Sequence, residues 1–186
     1  MALRALRQFT RAADGLAEWT GRVVSWFALV MVLIGGWNAL ARWAGRRAGF
    51  DLSSNSLIEV QWYLFSLMFL LAAPYTLKRD EHVRVDVFYG RLGVRGQAWT
   101  NFLGGLLLLL PFCATTLVFV WPGVVESWSI REGSPDPGGL PRYPLKAAVP
   151  VALVLLFIQG LSEVIKSGLV LFSRAPEAAS HEPEDA

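Results

Sequence analysis

Long charge-free runs alternate along this chain with short charged stretches. Val23 to Ala41, Val60 to Leu77 and Gly96 to Val125 contain no Asp, Glu, Lys, Arg or His. A fourth run extends from Ala147 to Ser162 and resumes from Ser167 to Ser173 after Glu163 and Lys166. A helix rises about 1.5 Å per residue, so roughly 20 apolar residues cross the ~30 Å hydrocarbon core of a bilayer. The pattern predicts an all-α integral membrane protein with four transmembrane helices, over about residues 22–42, 58–78, 98–121 and 147–172 of a membrane domain at 21–174. In the fourth helix Glu163 and Lys166 sit three residues apart, where they can pair and reach toward headgroups.

Local signals mark the ends of these runs. Trp19, Trp43, Trp62, Tyr75, Trp99, Trp121, Trp128 and Tyr143 lie near predicted boundaries, where amphipathic rings sit at headgroup level. Ser56 followed by Glu59 fits a capping box at the start of the second helix. Pro150 is expected in the first turn of the fourth helix, where a missing N–H is harmless. Pro74 and Pro111 lie inside spans and are expected to kink them. Gly35-x-x-x-Ala39 and Gly104-Gly105 offer small surfaces for close helix contact.

Outside the spans, residues 1–20 carry Leu3, Leu6, Phe9, Ala13 and Leu16 at three- to four-residue spacing beside Arg4, Arg7 and Arg11. This reads as an amphipathic segment on the cytoplasmic leaflet or as a basic tail. The stretch Ser129–Lys146 is rich in proline and glycine and is expected to be irregular. Residues 175–186 are acidic, with Ala, Pro and Ser between the charges, and read as a disordered tail. A basic leader, an apolar run and Ala39-Leu40-Ala41 also resemble a secretory signal, but the run is longer than a signal core. Of the basic residues, eleven fall on the side of the N-terminus, the 78–95 loop and the C-terminus, and six on the other. The positive-inside rule then places both termini in the cytoplasm, with Arg42, Arg46 and Arg47 clustered on the minority side.

Composition agrees with lipid as the solvent: 54% of residues are hydrophobic and only 17% charged. A soluble chain of 186 residues must cover a large surface with polar groups. A net charge of +2, with basic residues scattered between apolar blocks, does not suggest nucleic acid. The single cysteine, Cys113, reads as a packing residue and allows no intrachain disulfide. The two histidines, His82 and His181, lie outside the spans, which disfavours a bis-histidine haem. No nucleophile, metal-protease or phosphate-loop pattern occurs, so no enzyme activity and no cofactor are expected. The densest polar cluster, residues 79–86, reads as paired charges anchoring helix ends rather than a metal site. Glu59 could serve a partner or an ion, but capping already accounts for it. Deep in the spans polarity is mild, as at Asn38, Ser66, Thr115, Thr116 and Gln159, none of which can carry charge. The chain reads as an accessory membrane subunit; the rival reading is an independent homo-oligomeric four-helix channel or exporter.

The run from Glu59 through Trp62, Tyr63 and Pro74 to Tyr75, followed by Leu77-Lys-Arg-Asp80-Glu-His82-Val-Arg84-Val-Asp86-Val, resembles the small permease subunit of TRAP (tripartite ATP-independent periplasmic) transporters, the DctQ-like family. Gln97-Ala-Trp99, Ser127-Trp128, Pro137-Gly-Gly-Leu140-Pro141 and Gln159-Gly-Leu-Ser-Glu163 agree in order and spacing. The resemblance implies a small subunit in the bacterial inner membrane that braces a large permease of about twelve helices and helps dock a periplasmic solute-binding protein. It further implies that sodium coupling and the organic-acid site lie on the large partner. By the same resemblance Glu59, Trp62, Arg84 and Asp86, with Lys146 and Glu163 ranked below them, are candidate subunit-interface residues, and no residue here is catalytic, substrate-binding or metal-binding.

The charge asymmetry makes a direct prediction. Topology reporters fused at Asp86 and Asp136 should report cytoplasm and periplasm respectively; the reverse pair of signals would invert the proposed orientation.

Overall fold

The computed structural model describes residues 2–49, 54–81 and 89–172. Among the described residues four helices are long and apolar enough to cross a membrane: α1 (Ala2–Ala48), α2 (Asn55–Lys78), α3 (Val94–Ser129) and α4 (Tyr143–Phe172). Each expected span is present and each helix overshoots it. The largest excess is in α1, whose 47 residues reach about 70 Å, more than twice a bilayer core. Residues 2–20 are thus helical, as the periodicity of the N-terminal segment suggests, and continuous with the first span. Its stripe of Leu3, Leu6, Phe9 and Leu16 points away from the other helices, while Thr10, Ala13, Ala17 and Thr20 face inward.

Consecutive helices run antiparallel, and the pairings show the register. Along α1 and α2, Glu18 meets Lys78, Gly21 faces Tyr75 and Gly35 faces Gln61. Along α3 and α4, Trp128 meets Tyr143, Gly105 faces Val164, and Trp99 and Phe102 meet Phe172. The helices α1, α2 and α4 all touch one another, and α3 packs on the far side of α4. Consequently α4 is the central element: 39% of its most apolar stretch is buried, against 6–11% for the other three.

Burial is inverted relative to a water-soluble protein. The buried positions are mainly small or polar, including Ala13, Ala17, Ala41, Ala98, Cys113, Ala152, Ser127, Gln159 and Ser162. All eight tryptophans are exposed, as are Phe69, Phe112 and Phe119. Lipid tails are as apolar as leucine, so large side chains gain little by turning inward; small ones let backbones approach and form van der Waals contacts. Inward-facing hydroxyls are satisfied locally, as Thr20 Oγ1 donates to Ala17 O at 2.9 Å and Thr76 Oγ1 to Ala72 O at 3.1 Å. Aromatic contacts pin both ends of the α3–α4 seam. Trp99, Phe102 and Phe172 meet edge-on at 6.1–6.2 Å, and Trp128 meets Tyr143 at 4.7 Å.

Two proline readings are refined. Helix α4 begins at Tyr143, so Pro150 lies inside it and is buried rather than in its first turn; Pro144 occupies the N-terminal turn. In α3 the irregularity expected at Pro111 takes the form of a π-helical turn over Gly105–Leu109. Pro111 has no N–H for the carbonyl four residues earlier, and the register is relaxed by the Leu110 N–H bonding to Gly105 O instead. This turn also brings Gly105 against α4: a Cβ there would stand 2.6 Å from Val164 Cγ2. Of the Gly104-Gly105 pair, only Gly105 meets a neighbour.

Because Val164 is β-branched and stiff, Gly105→Ala should destabilise the α3–α4 seam by about 1–3 kcal/mol. Thermal unfolding in detergent would show it. Gly104→Ala, with nothing within 4 Å, should be neutral or slightly stabilising, and Val164→Ala should rescue Gly105→Ala.

Candidate functional site

Polar side chains gather at both ends of the helices. At the end where α2 and α4 begin, Glu59 is 3% exposed one turn into α2. Its carboxylate accepts hydrogen bonds from Ser134 Oγ and from the Leu140 N–H, both in the 130–142 loop. On the same face Ser56 Oγ donates to Gly138 O, and Tyr63 Oη donates to Pro141 O at 2.8 Å and to Leu140 O at 3.2 Å. Ser56, Glu59 and Tyr63 stand at i, i+3 and i+7, so one stripe of α2 holds the loop from Gly138 to Pro141.

The expected capping box is therefore not formed. Ser54 occupies the N-cap, with extended backbone (φ −127°, ψ 133°) and no side-chain cap. Ser56 and Glu59 are instead committed to contacts about 80 residues away in sequence. A buried carboxylate needs donors, and a loop rich in Gly and Pro has backbone N–H groups to give. Two glycines make the fit. Gly138 has φ +73°, a conformation that L side chains rarely adopt, and a Cβ on Gly139 would stand 2.7 Å from Glu59 Oε1.

A second clip closes the loop from its other side. Glu132 accepts hydrogen bonds from Lys146 Nζ and from Ser127 Oγ at 2.6 Å, while the Arg142 N–H donates to Glu132 O at 2.8 Å. The Lys146 bond, then the Ser127 bond, hold the Glu132 carboxyl below its ordinary pKa. Glu59, Trp62 and Lys146 line one cleft of about 230 Å³ with Tyr63, Ser66, Arg142 and Leu145. Trp62 is 57% exposed and turns its ring outward.

At the opposite end, roughly 25 Å along α4, Lys166 Nζ donates to Asp14 Oδ1 at 2.7 Å and to Glu163 Oε1 at 2.8 Å. Gln159, 1% exposed, donates through Nε2 to the same two carboxylates at 3.0 Å each. Ser162 Oγ lies 3.5 Å from Asp14 Oδ1. Beside this network Glu18 pairs with Lys78 and, at 3.4 Å, with Arg79. Glu163 and Lys166 do pair, as their spacing predicts, but they turn toward α1 as well. Charges from α1, α2 and α4 are thereby neutralised inside the chain.

Of the six residues singled out from sequence, the structure thus brings Glu59, Trp62 and Lys146 together and puts Glu163 in the distant network. Arg84 and Asp86 lie outside the described residues. Sequence reading missed Asp14, Glu18, Ser134 and Glu132. The first two were readable in principle: they sit four residues apart among Thr10, Ala13, Ala17 and Thr20, a small-residue face suited to helix contact. Nothing local marks Ser134 or Glu132, whose partners come from other elements. Among the described residues no three His, Cys, Asp or Glu side chains are grouped to hold a metal ion. Both networks are structural ties, with no nucleophile set against a base.

A family model described as "Tripartite ATP-independent periplasmic transporters, DctQ component" matches residues 44–167, which include the end of α1 and most of α4. No curated protein and no solved structure matches the chain.

The Glu59 and Glu132 clips predict a protease-resistant loop. Glu59→Ala removes the acceptor for Ser134 Oγ and the Leu140 N–H, so cleavage within 130–142 should accelerate about tenfold or more while the helices stay intact. Since Glu132 has a depressed folded pKa, its contribution is complete above the unfolded carboxylate pKa and is lost as pH falls through the folded value. Protection should accordingly hold at neutral pH and decline only below the ordinary carboxylate range. A loop equally protected in Glu59→Ala would remove these clips from the account.

Proposed function

This chain belongs to the DctQ component family of the tripartite ATP-independent periplasmic transporters, and we propose that within its transporter it braces the large permease subunit and helps seat the periplasmic binding protein. Family membership makes it the small membrane subunit and implies a large permease and a periplasmic binding protein as partners. The finer reading is that the assembly lies in the bacterial inner membrane, takes up organic acids and is driven by sodium. On this reading the sodium and substrate sites belong to the large subunit, and both termini of the small one face the cytoplasm.

One observation carries the bracing role: among the described residues, the carboxylates turned toward neighbouring elements are paired within the chain. Glu59, Glu132, Asp14, Glu18 and Glu163 each have partners of the same chain. Between the charged ends, the outward surface of the helices is apolar, with aromatic rings at several heights. Such a surface is suited to lipid and to a large apolar partner, whereas an ion path needs free ionisable groups at depth. The 130–142 loop, held by two carboxylates, supports the docking role, because a preorganised surface loses less entropy on binding than a mobile one. With the termini cytoplasmic, that loop lies on the periplasmic side. Among the candidate interface residues Trp62 is the outward-facing one; Glu59, Lys146 and Glu163 shape the chain that presents it. Arg84 and Asp86 retain the cytoplasmic-loop role that the resemblance gives them.

Affinity purification from native membranes in mild detergent should recover a large, many-spanning protein in stoichiometric amount. Trp62→Ala should reduce that recovery severalfold without loosening the 130–142 loop. A homogeneous self-assembly lacking any large partner would favour the homo-oligomeric channel and overturn this function.

A further inference from the structure

Three arginines clustered on the side poorer in basic residues, Arg42, Arg46 and Arg47, are not absorbed by either polar network. Arg47 stacks over Trp43, with its guanidinium carbon 4.2 Å from the ring centroid. Arg42 and Arg46 have no ion pair or hydrogen bond among the described residues, and both are exposed. They stand one turn apart on α1 and line the same cleft between α1 and α2, a space of about 510 Å³. Deeper in it lie Asn38, Ala39, Gly35, Ile58 and Gln61.

The outer end of the cleft carries two guanidiniums, and its inner end is lined by Gly35, Ala39 and Ile58 beside the amides of Asn38 and Gln61. From Gly35 to Arg46 is about 16 Å of helix rise. Trp37, Leu40 and Trp43, all more than half exposed, flank it on the outside of α1, as they would at the border of tails and headgroups. Between the two ends Asn38 is 5% exposed, and its Oδ1 has no hydrogen-bond donor. A buried carbonyl without a donor is costly, so this position calls for a bound group or its accompanying water.

We propose that the α1–α2 cleft is a phospholipid site in which Arg42 and Arg46 together hold the phosphate of an anionic lipid and the Gly35–Ala39 groove takes an acyl chain. Guanidinium pairs suit phosphate because each offers a planar fork of donors. Basic pockets between membrane helices are a known way to hold acidic headgroups. Water that follows the headgroup to the glycerol level supplies the donor that Asn38 Oδ1 lacks. An acidic protein segment would satisfy the arginines equally, but the exposed Trp37, Leu40 and Trp43 beside them place the cleft at the border of tails and headgroups, where a lipid phosphate lies.

The test uses the full chain in phosphatidylcholine nanodiscs with and without phosphatidylglycerol, read by lipid retention in native mass spectrometry and by thermal unfolding. The wild type should retain phosphatidylglycerol over phosphatidylcholine and unfold at a higher temperature when it is present. Arg42→Gln with Arg46→Gln should weaken retention about tenfold or more and abolish the thermal shift. Ala39→Leu, which fills the inner end and leaves both charges, should weaken retention as well. Inorganic phosphate added to the aqueous phase should not compete; competition would reassign the site to a soluble phosphate and overturn the lipid. Unchanged retention in the folded double variant would overturn the proposal. So would a double variant that keeps its lipid but loses an acidic partner protein.

Discussion

In a bilayer no water reaches the contacts between helices, so a polar side chain there must find its partner in the protein. This constraint organises the whole structure. Apolar burial gives little advantage when lipid competes for the same surface, and large aromatic and aliphatic side chains accordingly point outward. What decides how α1, α2 and α4 meet is the need of Asp14, Glu18, Glu163, Lys78 and Lys166 for one another, together with the small residues that let them come close. Individual hydrogen bonds in such settings contribute only about 0.6–2 kcal/mol. The network acts by selecting one packing among several that lipid would otherwise tolerate.

The other end of the bundle obeys the same constraint with different means. Glu59 is buried at the base of a loop and has no cation bonded to it; it is satisfied by a serine hydroxyl and a backbone amide. A carboxylate used in this way organises irregular backbone, because it can accept several donors from a chain with no regular structure of its own. The Gly138-Gly139 pair lets the loop reach it. The result is a firm cap over the start of α2 and α4. It gives the bundle one end shaped by a folded loop and another shaped by ion pairs.

On the function proposed above, these two ends suit a subunit that presents firm surfaces to a larger partner, since the charges that meet between its helices are paired with one another. In the α1–α2 cleft two arginines stay exposed and the buried Asn38 Oδ1 has no donor. Gln159 Oε1 is likewise buried without a donor, but it lies within the Asp14–Lys166 network rather than beside exposed cations.

The amino-acid sequence by itself determined the four helices, the membrane as their solvent and the family. These rest on properties that survive without tertiary structure: the length of charge-free runs, the position of tryptophans, and the order of motifs from Glu59 to Glu163. It also singled out Glu59, Trp62, Lys146 and Glu163 as candidate interface residues, of which the first three share one cleft and the last lies in the ion-pair network. Only tertiary structure decided that α4 is central, that residues 2–20 continue α1 and supply Asp14 and Glu18, and that Ser56 and Glu59 hold a distant loop instead of capping their own helix. The reason is physical. A local pattern such as Ser-x-x-Glu has a local solution, the capping box, and a non-local one, and the two look the same in sequence. The choice between them depends on whether a donor-rich loop arrives overhead, and that is settled by the packing of helices far apart along the chain.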